Sequence, residues 1–152
     1  MKISSKGIDL IKAWEGIIDG DPTTTALDPY VDLAGHPTIG WGHLIRAGED
    51  FSSGITRLRA VELLKEDLFD AERSVNYQIS RTLFQHQYDS IVSWTFNLGG
   101  GSLSQSTLLR VINDGQDLDV PAQILRWNKA GGKAIFGLTC RRMDEARMWL
   151  GR

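Results

Sequence analysis

The chain has 152 residues, of which 41% are hydrophobic and 24% charged, and carries a net charge of −2. That length and balance suit one compact domain with a real core and exclude wholesale disorder. The near-neutral charge excludes a global pull toward nucleic acid or anionic surfaces, and no apolar run approaches the ~20 residues that cross a bilayer.

The first helix is predicted to begin after Ser4 or Ser5, both good caps, and to run to about Glu15. Ile8, Ile11 and Trp14 mark its buried side, and Gly16 ends it. Residues 19–29, DGDPTTTALDP, are turn formers and small polar residues, and read as loop. A small hairpin follows. Tyr30-Val31-Asp32 and Thr38-Ile39-Gly40-Trp41 form its arms, and the chain turns at Ala34-Gly35-His36-Pro37. Gly48 to Gly54 is loop again.

Thr56 caps a long helix. Ala60, Leu64, Leu68, Ala71 and Val75 form one apolar stripe along it, and it is expected to join two lobes. A further helix covers about 83–98, with Phe84, Tyr88, Ile91, Val92 and Phe96 on one face, and the GGGS at 99–102 breaks it. Helices also fit 104–114, 119–129 (Pro121 in its first turn) and 139–150. The fold class is therefore α+β, with one small β element near the front and a helical bundle behind it.

Several residues carry possible chemistry. Glu15 ends a helix beside Trp14. The negative end of the helix dipole and partial burial both disfavour its charge, which suits a general acid; a solvated helix-end glutamate is the plain alternative. Asp32 supplies a second carboxyl, as glycosidic cleavage requires, and Thr38 a hydroxyl on the facing arm. Their plain alternatives are a turn residue that bonds its own backbone and an ordinary strand residue. His36, His43, His86 and Cys140 are zinc-ligand types without ligand spacing, so no metal site is expected. His43 reads instead as an anchor between the hairpin and a neighbouring acid. The basic residues Lys129, Lys133, Arg141, Arg142, Arg147 and Arg152 read as a solvated face. Cys140 is the single cysteine, so no internal disulfide forms. The N-terminal MKISSKGIDLIKAWEG lacks a signal-peptide core, and synthesis in the cytoplasm is expected.

The pattern of Glu15, Tyr30, Asp32, Gly35, Thr38, Ile39, Gly40, Gly42 and His43 resembles the phage-type lysozymes, glycoside hydrolase family twenty-four. ELLKEDL (62–68), QYDSIVSWTFNLGGG (87–101), STLLRVIN (106–113), RWNKAGGK (126–133) and CRRMDEARMW (140–149) look like later parts of the same family. The resemblance implies a lysozyme-like fold over 1–152, with a catalytic lobe at about 14–55 and a helical lobe at about 56–152 that includes the first helix. It implies an endolysin muramidase that hydrolyses the β-1,4 bond between N-acetylmuramic acid and N-acetylglucosamine. By position, Glu15 is the general acid, Asp32 the second carboxylate, and Thr38 helps place the attacking water, which points to inversion. Leu44, Phe96 and Thr107 fall where the family contacts saccharide. Arg142 (or Arg141) falls where it pairs an arginine with the catalytic glutamate. No cofactor, nucleic acid or membrane anchor is implied, and a monomer is expected. A holin would release the protein from the host cytoplasm to the cell wall.

One departure stands out. Sixteen residues separate Glu15 from Asp32, a longer loop than the family pattern. Flexible loops lengthen cheaply, at about 0.6 kcal/mol per doubling, so Asp32 can keep its place. The five residues between Asp32 and Thr38 fit the pattern and favour Asp32 over Asp19, Asp21 or Asp28. A lytic transglycosylase, or a glycan-binding protein without activity, are the rival readings.

Overall fold

The computed structural model describes residues 1–152. Eight helices and five short strands divide between two compact units, one of Lys12–Phe69 and the other of Met1–Ile11 with Asp70–Arg152. Helix α1 (Ser5–Glu15) gives its opening turns to the second unit and its last turn to the first. It starts where the caps predict: Ser4 Oγ accepts the Gly7 N–H at 3.3 Å.

The first unit holds a three-stranded antiparallel sheet. Strands β1 (Tyr30–Val31), β2 (Pro37–Ile39) and β3 (His43–Leu44) lie in that order, with Tyr30 opposite Thr38, Thr38 opposite Leu44 and Ile39 opposite His43. The third strand goes beyond the predicted hairpin. Its return from β2 is made by Gly40, at φ 64°, where a Cβ would also stand 3.0 Å from the Ala60 side chain. Only glycine meets both conditions without strain.

The 19–29 loop closes on itself. Gly20 N–H donates to the Asp28 carbonyl at 3.1 Å, and Leu27 and Ile55 exchange two backbone bonds of 2.8 Å. Leu27 is buried beneath the loop. The insertion is thus a folded unit with its ends drawn together. Helix α2 (Arg57–Asp67) follows, capped by Thr56 Oγ1, which accepts the Arg59 N–H at 3.1 Å. Such a cap contributes about 1 kcal/mol.

The predicted long helix is two helices. Leu68 adopts φ −71°, ψ −13° between α2 and α3 (Phe69–Gln78). The apolar stripe nevertheless stays buried, from Ala60 to Val75.

In the second unit, α4 (Gln85–Leu98) is the core helix. Gln87 to Thr95 are all buried. The one-sided pattern predicted for this helix is corrected: it is covered all round, while Phe84, placed on its apolar face, is exposed and stacks on His86 with ring centroids 5.8 Å apart. Gly99 ends α4 and immediately begins α5 (Gly100–Ser104), so the GGGS is a helix junction rather than a plain break. Helix α6 (Thr107–Asn113) is capped by Ser106, α7 (Val120–Leu125) carries Pro121 in its first turn, and α8 (Phe136–Trp149) packs on α4 and α7. Between α7 and α8 stands an unpredicted hairpin, β4 (Lys129–Ala130) and β5 (Lys133–Ala134). Its two-residue loop, Gly131-Gly132, has both φ values positive, at 55° and 78°, which is the demand of a type I′ turn.

No helix is long and apolar enough to cross a membrane.

Candidate active site

Four of the predicted site residues, Glu15, Asp32, Thr38 and Leu44, belong to the sheet unit. Glu15 is the last residue of α1 and is half-buried. The turn that carries Asp32 is closed by its own backbone: Asp32 N–H donates to the His36 carbonyl and Gly35 N–H to the Asp32 carbonyl, each at 3.0 Å. Asp32 Oδ1 accepts the N–H of His36 at 2.8 Å and of Ala34 at 2.9 Å. The plain reading of Asp32 as a turn residue is therefore true of one carboxylate oxygen. The other, Oδ2, faces the His36 ring, with Nδ1 3.5 Å away.

These contacts set the charge of Asp32. The His36 N–H holds its carboxyl below the usual carboxylate range. The Ala34 N–H and the His36 ring act in the same direction, and burial opposes them. Asp32 is thus ionised across the neutral range. Tyr30, half-buried on β1, reports on both carboxylates. Burial pushes its phenol up, and the charges of Asp32 and Glu15 push it further. Glu15 and Asp32 therefore act on a single phenol.

Thr38 sits on β2 directly opposite Tyr30 and is buried. Its hydroxyl donates to the His36 carbonyl at 2.9 Å. With its proton so directed, Oγ1 is left as an acceptor. Leu44, its neighbour on β3, is exposed. The acids of the inserted loop are engaged within it. Asp19 Oδ1 accepts the N–H of Asp28 at 3.0 Å and of Asp21 at 3.2 Å, Asp21 Oδ1 accepts both polar groups of Thr23, and Asp28 accepts the Thr24 hydroxyl.

His43 anchors the sheet, as its position suggested. It is buried, and its Nδ1 lies 2.9 Å from Asp67 Oδ2 on α2 while its Nε2 lies 3.1 Å from Glu49 Oε2. Arg46 joins the same carboxylates, its N–H to Glu49 at 2.8 Å and its guanidinium to Asp67 at 3.1 Å. Sequence reasoning found the histidine but not the two acids, which come from separate stretches. No three His, Cys, Asp or Glu side chains are grouped to hold a metal ion.

Phe96, Thr107 and Arg142 belong to the helical unit. Phe96 is half-buried on α4, and Thr107 opens α6 exposed. Arg142 is fully buried. Its Nη2 donates to Asn97 at 2.9 Å and to Glu145 at 3.2 Å, and its Nε lies 2.9 Å from Glu145 Oε2 without hydrogen-bond alignment. Arg141 Nε reaches Glu145 at 3.3 Å, and Ser93 donates to the same oxygen at 2.8 Å. Burial pushes the Glu145 carboxyl up against the pull of the two arginines, and burial likewise pulls Arg142 down. The reading of the C-terminal basic residues as one solvated face is corrected here: Arg141 and Arg142 are internal, and the three-to-four-residue spacing to Glu145 was the signal that could have shown it. Arg147 pairs outside with Asp144 at 3.0 Å, and Lys129 and Lys133 are exposed.

An acid at a helix end and an ionised aspartate in a hairpin turn define a class of site able to handle a proton and a water at separate carboxyls. Residues 20–145 match the sequence profile of phage lysozyme. The endolysin of Salmonella phage P22 is 37% identical over 149 residues, covering 96% of this chain and 97% of the relative. The endolysin of Bacillus phage PZA is 36% identical over 153 residues, covering 98% of this chain but 55% of the relative. The chain thus spans about half the length of that Bacillus phage protein. A crystal structure of a P22 lysozyme mutant superposes with a TM-score of 0.84 at 35% identity, covering 99% of both chains. The chain belongs to the phage lysozyme family, and its α+β fold is lysozyme-like.

Proposed function

We propose that this chain is an endolysin muramidase, hydrolysing the β-1,4 bond between N-acetylmuramic acid and N-acetylglucosamine in peptidoglycan. The observation that carries the reading is the presence, in one compact unit, of a half-buried glutamate at the end of α1 and an aspartate held by two backbone N–H groups. Glu15 protonates the departing glycosidic oxygen. Asp32 takes a proton from the attacking water. The Thr38 hydroxyl directs its own proton to His36, so its oxygen accepts one hydrogen of that water while Asp32 Oδ2 accepts the other. The water then presents a lone pair to the sugar, which favours inversion. Leu44, Phe96 and Thr107 contact saccharide. Arg142, or its neighbour Arg141, is the partner of Glu15. The protein acts as a monomer and is released through a holin to the cell wall.

Glu15→Gln, assayed on purified peptidoglycan, tests the reading. The expected loss is ~10²–10⁴-fold with the fold retained; a variant that keeps most of its activity contradicts it. Proton NMR of the first-formed reducing sugar tests inversion: an α-anomer is expected, and a β-anomer overturns it.

A further inference from the structure

His36 is the hub of the catalytic turn. Its N–H donates to Asp32 Oδ1 at 2.8 Å, and its carbonyl accepts the Asp32 N–H at 3.0 Å and the Thr38 hydroxyl at 2.9 Å. Those three bonds come from the backbone and need no particular side chain. The ring adds a fourth contact, Nδ1 at 3.5 Å from Asp32 Oδ2. Because Oδ1 is filled by two N–H groups, Oδ2 is the oxygen left for a water, and it is the one the imidazole faces.

We propose that His36 is a positioning residue for Asp32, its ring holding Oδ2 in place and, when protonated, keeping that oxygen charged. The proposal rests on the reading of Asp32 as the carboxylate that activates water. Tyr30 is on the same hairpin, and the charges of Asp32 and Glu15 push its phenol up, while the His36 ring helps to hold the Asp32 carboxyl down. The ring is 62% exposed and the Asp32 side chain 30%, so water screens the pair and the effect is modest.

The test is the pH profile of kcat/KM on purified peptidoglycan, for the wild type, His36→Gln and His36→Lys, with Asp32→Asn as control. In His36→Gln the acid limb is expected to move up by about 0.2–0.7 pH unit, the equivalent of an exposed ion pair, and to merge with the wild type in alkali. His36→Lys, whose charge persists, is expected to keep the limb at or below the wild-type position. A purely structural ring would change rates without moving the limb. Carbon-13 NMR titration of the Asp32 carboxyl should show the same shift without reference to activity. If Asp32→Asn is inactive while the limb and the Asp32 titration stay fixed in His36→Gln, or move equally in His36→Lys, the role of His36 is overturned alone. If Asp32→Asn stays active, it is the assignment of Asp32 that falls.

Discussion

Two carboxylates in this molecule are held in opposite ways. Asp32 lies in a turn at the edge of a small sheet, fixed by backbone N–H groups, and is held below the usual carboxylate range. Glu145 lies fully buried on α8 between two guanidiniums, and burial pushes it up. The first arrangement keeps a charge available at little cost, because peptide dipoles do the stabilising and one oxygen stays open. The second removes three charged groups from water, and their attraction returns only part of that penalty. The charge proposed for chemistry sits where backbone can support it. Charge buried in the helical unit serves to fix α8 against α4, through Ser90, Ser93 and Asn97.

Breaking the buried arrangement should have the largest effect on stability. Glu145→Ala removes the buried carboxylate that Arg141 and Arg142 both reach, and a loss of about 3–5 kcal/mol in denaturant unfolding is expected. The reverse holds at the turn. Asp32→Asn keeps an oxygen for both N–H donors, so the unfolding transition should hardly move while the proposed activity on peptidoglycan falls at least ~10²-fold. If both variants lost stability equally, the contrast would fail.

His43 lies between these extremes, buried itself but paired with acids that reach the surface. Glu49→Gln should cost about 1 kcal/mol at neutral pH. The Arg46 N–H, and after it His43, hold the Glu49 carboxyl below its usual range. Its contribution is therefore complete above the ordinary glutamate value of about 4.3 and lost as pH falls through the lower folded value. Urea unfolding across pH should show the gap between wild type and variant close in acid. The smallest effect is expected next to Asp32 itself: Leu33 is wholly exposed, and Leu33→Ser should alter stability by less than ~0.5 kcal/mol and leave the activity unchanged.

What could be read in the sequence divides along similar lines. Local signals were legible: the caps at Ser4 and Thr56, the stripe from Ala60 to Val75, and the spacing from Asp32 to Thr38; the tight turn read at Ala34–Pro37 lies two residues earlier, at Asp32–Gly35, and Pro37 already belongs to β2. The hairpin around Gly131-Gly132 was missed, because its strands are exposed and carry no apolar alternation. The turn at Leu68 was hidden because the apolar stripe runs through it without a break. The all-round burial of α4 was hidden for a different reason. Its serines and Asp89 are satisfied by partners far along the chain, such as Glu145 and Ser4, and periodicity treats such residues as solvent-facing. For the candidate site, the sequence proposed Glu15, Asp32 and Thr38. That the His36 backbone binds both Asp32 and Thr38 follows from the closure of the turn, which no side-chain pattern records.

The most direct measurement is mass spectrometry of the fragments released from purified peptidoglycan by the wild-type protein and by Glu15→Gln. The account predicts that the wild type releases fragments with N-acetylmuramic acid at a hydrated reducing end, one water added for each bond cut, and that Glu15→Gln releases almost none. Fragments ending in 1,6-anhydro sugar would contradict hydrolysis, and equal release by the variant would contradict the role of Glu15.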